Sequence, residues 1–92
     1  MGIIRIIAPP RSLYTFGPVV LHDMSRRTEI GRIYQGSAAE LPADSPIDLG
    51  VAWGRGNTPP VKLRFAAHPG RRYTLYWLKA GFGAGMGVEE QK

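Results

Sequence analysis

The sequence predicts an all-β domain: a single small antiparallel β-sandwich, or partly open barrel, of six to seven short strands. Three observations carry that expectation. Apolar and polar residues alternate with a period of two over most of the chain, and no segment sustains the 3.6-residue apolar period of a helix. Turn-forming residues recur at intervals of about 8–12 positions, the spacing of sandwiches and small barrels. The 92 residues also include 12 glycines and 8 prolines, an excess that favours turns over long helices.

The elements follow in order. "IIRII" (Ile3–Ile7) is β-branched and short, and Pro9-Pro10 stops it. "PVVLHD" (Pro18–Asp23) alternates Val19 and Leu21 against Val20 and His22. "EIGRIYQG" (Glu29–Gly36) reads as the next strand, with "SRR" supplying the hairpin connection. "AAEL" (Ala38–Leu41) predicts a short edge strand closed by the Pro42 and Pro46 turn region. In "IDLGVAW", Ile47, Leu49, Val51 and Trp53 share one face; in "VKLRF", Val61, Leu63 and Phe65 point inward and Lys62 and Arg64 outward. "HPGRR" predicts a type II turn, because Pro69 presets φ at its second position and Gly70 accepts a positive φ at its third. "RYTLYWLKA" then sets Tyr73, Leu75 and Trp77 against Thr74, Tyr76 and Leu78.

A chain of this length makes one domain and buries roughly 60–65% of its unfolded surface, enough for a modest core. There are no cysteines, so disulfides and thiolate metal sites are excluded. No apolar run approaches the ~18 residues of a membrane span. The opening "MGIIRIIAPP" lacks a basic leader and a small-residue cleavage site, and Ile6 stands where a myristoylation motif wants Ser or Thr. These features point to a cytoplasmic chain, or to one domain of a longer protein.

The segments quoted above carry a resemblance. "GPVVLHD", "EIGRIYQGS", "ELP" and "VKLRFAAHPGRRYTLYW" resemble the small bacterial β-sandwich domains of the PEGA-like type and their relatives, from Ile3 to about Trp77. The hairpin "DMSRRTEIG" is longer than the usual turn of that family, and "ADSPIDL" lacks its Gly-x-His. The resemblance implies a non-catalytic module, often attached to other domains, and it brings no functional residues with it.

Four candidate chemistries can be weighed on the residues. The closing "GFGAGMG" places glycine at 81, 83, 85 and 87, but a G-x-G-x-x-G fingerprint would need glycine at Met86 or Val88 and a following helix and strand. With seven backbones to order and only Phe82, Ala84 and Met86 to bury, residues 81–92 are expected to form a flexible, glycine-rich tail outside a β-sandwich domain at residues 1–80. His22 and Asp23 are neighbours on a strand and point to opposite faces, so they cannot act as a base and its orienting carboxylate. His22, His68, Asp44 and Asp48 have no metal-ligand spacing. No catalytic residue, metal or cofactor is expected.

The fourth candidate is charge. The formal net charge is +5, and between Leu49 and Val88 lie six cations (Arg55, Lys62, Arg64, Arg71, Arg72 and Lys79) and no acid. Such a half can attract a polyanion, and oligonucleotide-binding barrels pair basic loops with exposed strand aromatics. Trp53, Phe65, Tyr73 and Trp77 fall on core positions, and in the last strand only Tyr76 lies on the exposed face. The expectation is therefore a non-enzymatic interaction or structural module that meets a protein partner or neighbouring domain. The alternative is a nucleic-acid-binding small barrel using the basic half. One contiguous basic face with exposed aromatics would favour the latter; dispersal over both sheets would favour the former.

Overall fold

The computed structural model of the chain describes residues 2–9, 18–34, 36–54, 58–80 and 83–91. Alternation becomes strand wherever a face can be buried, and eight strands result: β1 (Gly2–Ile7), β2 (Val19–Asp23), β3 (Thr28–Ile33), β4 (Ala38–Ala43), β5 (Ile47–Ala52), β6 (Val61–Ala67), β7 (Arg72–Ala80) and β8 (Gly83–Gln91). They form two four-stranded sheets, ordered β4-β1-β7-β8 and β3-β2-β5-β6. The described pairings are antiparallel except β1–β7, which is parallel, with Ile6 opposite Tyr73. The two sheets pack as a sandwich, the predicted class.

The core fills from the inward positions of both sheets. Ile4, Ile6, Tyr73, Leu75 and Met86 from one meet Val19, Leu21, Ile33, Leu49, Val51 and Ala67 from the other, with Trp53 just beyond the end of β5. Trp53 packs edge-on against Trp77 with ring centroids 6.1 Å apart, and Phe65 lies 5.1 Å from Tyr73. Leu63 and Phe65 point inward as expected but are only half-buried, because β6 is a sheet edge. Val61, expected inward with them, instead lies against the outer side of Gly50, because the β5–β6 register shifts between Val61 and Leu63. β5 is central and buried on both faces: Gly50 and Ala52 are covered as well as Leu49 and Val51. At Gly50 the Met24 side chain occupies the space a Cβ would need.

The turn at His68–Arg71 has the expected form, with Gly70 at φ 82° and the Arg71 amide donating to the His68 carbonyl at 3.3 Å. The Gly70 amide also donates to the Ile3 carbonyl, tying this turn to β1. β3 ends at Ile33 rather than running to Gly36, since the chain bends there with Gly36 at φ 85°. β4 continues through Pro42 to Ala43. An edge strand tolerates a proline whose missing N–H is not needed by a neighbour.

One expectation is corrected. The glycine-rich segment is not a free tail: from Gly83 to Gln91 it is β8, the fourth strand of its sheet, paired with β7 from Arg72↔Gln91 to Ala80↔Gly83. Side-chain burial within the segment underestimates its stabilisation. Met86 and Val88 continue the core, a nine-residue ladder pairs the backbone groups that face β7, and Gly87 receives a neighbouring ring.

Candidate functional site

Strand parity decides what each sheet shows to solvent. On β6 the inward run Leu63, Phe65 and Ala67 turns Lys62 and Arg64 outward. Both are occupied there. The Lys62 ammonium donates to the Trp53 carbonyl at 2.9 Å and stands 5.1 Å from the centre of the Trp53 ring. Arg64 reaches across the β5–β6 pairing to Asp48 in a hydrogen-bonded ion pair. Its hydrogen bond to that carboxylate pushes the guanidinium pKa above its ordinary value.

Arg71, Arg72 and Lys79 belong to the other sheet. Arg71, in the turn entering β7, lies 3.7 Å from Glu90 on β8. Arg72 is exposed beside Arg5, its register partner on β1. Lys79 stands in register with Ala84. Arg55 lies outside the described residues. Among the described residues, the predicted cations are thus divided between β6 on one sheet and β7 with its turn on the other.

The polar groups elsewhere serve the fold. Asp23 accepts from the Ser25 amide at 3.0 Å and faces Arg26 at 4.0 Å, holding the β2–β3 turn. His22 is half-buried on the strand, across from Gly50. Tyr73 is buried with its hydroxyl accepting from the His68 amide at 2.7 Å and donating to Glu90 at 2.9 Å. Burial pushes its pKa up. A cleft of about 590 Å³ opens between the β2–β3 turn and the β4–β5 connection, lined by Asp23, Arg26, Ile30, Leu41, Asp44 and Ile47 among others. Its Asp23 is already spent on the turn, and no group of three or more metal-ligating side chains exists among the described residues.

The feature that sequence reading passed over is the outer face of the β4-β1-β7-β8 sheet. Ile3 is 49% exposed, Tyr76 40% and Leu78 46%, all on this face, with Ile7 half-buried beside them. The row of Arg5 and Arg72 separates Ile3 from the Ile7, Tyr76 and Leu78 group. Tyr76 lies over Gly87: a Cβ there would come within 2.6 Å of Tyr76 Cε2 and Oη. The signal is present in the sequence, since Tyr76 and Leu78 alternate with core residues, but nothing local marks the glycine strand paired beside them as part of the sheet.

No helix among the described residues is long and apolar enough to cross a membrane. No protein family, no curated protein and no solved structure matches the chain. Fold and surface define a small β-sandwich with one partly apolar outer face.

Proposed function

We propose that the chain is a non-enzymatic β-sandwich module that presents a surface to a protein partner or a neighbouring domain. The observation that carries this reading is the outer face bearing Ile3, Tyr76 and Leu78. Single exposed apolar residues are ordinary on protein surfaces. Tyr76 and Leu78 gather on one sheet face, with Ile7 near them and the Tyr76 ring over Gly87. They make a partly apolar platform of the kind that marks interaction sites, with Ile3 set apart beyond the arginine row. The resemblance to PEGA-like domains implies the same role. A photo-crosslinking residue placed at Leu78, in cells producing the protein, tests it. A defined heterologous adduct from Leu78, and none from Ala66 on the other sheet, is the expected outcome. Equal labelling from both positions overturns the reading.

The nucleic-acid alternative draws less support from the surface. Lys62, Arg64 and Arg71 each face an acceptor of their own chain, and the cations are split between the sheets. Fluorescence anisotropy with a single-stranded oligonucleotide at physiological salt should detect only weak binding. Sub-micromolar affinity that falls steeply with salt, as phosphate neutralisation demands, would reverse the ranking.

A further inference from the structure

We infer that β8 is a self-pairing edge: two copies of the chain join antiparallel through it, about a two-fold axis at Gly87, into one continuous eight-stranded sheet. A sheet edge is a template for another strand unless something blocks it. Four strands form edges in the described structure, and three carry a block. β4 holds Pro42 and Glu40; β3 holds the exposed Glu29–Arg32 ion pair and a register shift against β2; β6 holds Lys62 and Arg64 and a register shift against β5. β8 has no proline, pairs with β7 without a register shift, and is uncharged from Gly83 to Val88.

The occupant that fits is a second copy, because the strand is complementary to itself. Gly87 is the midpoint of Gly83–Gln91. Pairing about it sets Met86 opposite Val88 of the second copy, Gly85 opposite its Glu89, and Ala84 opposite its Glu90. The acidic end of each strand meets the uncharged end of the other, so the glutamates never face one another. Like charges directly opposite would oppose pairing. Registers centred on Glu89 or Glu90, or between them, bring glutamate against glutamate, and one centred on Val88 leaves the Gly83–Gln91 strands less fully overlapped.

Both faces of the join also match. The inward row would run Trp77, Met86, then Val88 and Leu75 of the second copy, apolar throughout. The outward row would run Tyr76, Gly87, then Gly87 and Tyr76 of the second copy. Each ring already lies over its own glycine, so the glycine pair becomes a floor for two tyrosines. Such an isologous contact closes at two subunits and does not propagate.

Sedimentation equilibrium of the whole chain from about 1 µM to about 1 mM tests the inference, with a dissociation constant of about 10–100 µM expected of so small a join. Gly85→Glu places a carboxylate against Glu89 twice per dimer and should weaken association about ten-fold. Adding Glu89→Lys to that variant should restore it, and Gly85→Lys should not weaken it. Circular dichroism checks that each variant is folded. A monomer at every concentration, or equal weakening by Gly85→Glu and Gly85→Lys, overturns the inference. Should Gly85→Glu not fold, hydrogen exchange of the wild-type chain decides: the outward amides of β8 must gain protection at high concentration, and unchanged exchange overturns the join. A crosslinked adduct of twice the chain mass would belong to this join, and a heterologous adduct from Leu78 to the outer face, so either can fail alone.

Discussion

Tyr76 lies across Gly87, its cross-strand partner on β8, and its ring fills the space where a Cβ would stand. The pair explains how a strand with so few side chains is held. The ring covers backbone that glycine leaves bare, an arrangement that pins register where a side chain cannot. Gly87→Ala should therefore destabilise the domain by about 1–3 kcal/mol, the usual cost of overpacking. Thermal denaturation measures it, at about 4–8 °C per kcal/mol for a domain of this size. In the Tyr76→Ala background the same change should cost much less, because the clash has gone; additive effects would show that the ring does not rest there.

The two tryptophans supply a second prediction. Trp53 is buried, Trp77 is half-buried, and their edge-on contact bridges the sheets near one end of the sandwich. Trp77→Ala should cost about 3 kcal/mol, the lower end of the range for large aromatic truncations because the side chain is incompletely covered. A double-mutant cycle with Trp53→Leu should leave a coupling of about 0.5–1.5 kcal/mol, the worth of an aromatic pair beyond its area. An unchanged denaturation midpoint in Trp77→Ala would show that β7 faces the other way.

The strands most legible in the sequence were those whose alternation is strict. Ile47–Trp53, Leu63–Phe65 and Tyr73–Trp77 lie on the faces the alternation gives them, because period-two patterning records burial directly. Val61 does not, because the register shift against β5 breaks the period there. β8 was illegible because the terms that hold it are not local: a ladder to β7, and a ring contributed by Tyr76. The parallel pairing of β1 with β7 likewise joins the two ends of the chain, and no local pattern announces it. The candidate basic surface failed to gather for a related reason. Asp48 and Glu90 flank the acid-free window in sequence, and strand pairing folds both back onto its arginines, Arg64 and Arg71. A one-dimensional charge asymmetry is thus partly neutralised in three dimensions.

Alkaline pH should weaken the fold through Tyr73. Its hydroxyl is buried between the His68 amide and Glu90, and burial raises its pKa above the ordinary tyrosine value. The folded state therefore keeps a proton that the unfolded state has already released. That contribution is intact below the ordinary value, about 10, and is lost as pH rises from there through the raised folded value. Urea denaturation at successive pH values above neutrality should show stability falling in that window. Tyr73→Phe should flatten the fall while costing about 1 kcal/mol at neutral pH for the lost hydrogen bonds. An identical alkaline slope in the variant would assign the loss to other groups.

Hydrogen exchange separates β8 from a loose tail. In dilute solution, where a weak join is dissociated, β8 is the edge of its sheet: alternate amides point toward β7 and the rest toward water. Amides bonded to β7 open only when the β7–β8 ladder opens, whereas outward amides exchange without any opening. Between Gly85 and Glu90 the protected and unprotected positions should therefore alternate residue by residue. The protected set should lose its protection in Gly87→Ala, as the ladder loosens around the displaced Tyr76 ring. Uniformly fast exchange across the segment would mean that the backbone entropy of the glycines in β8 outweighs the ladder. The alternating pattern would show that pairing with β7, together with the buried Met86 side chain, outweighs that entropy.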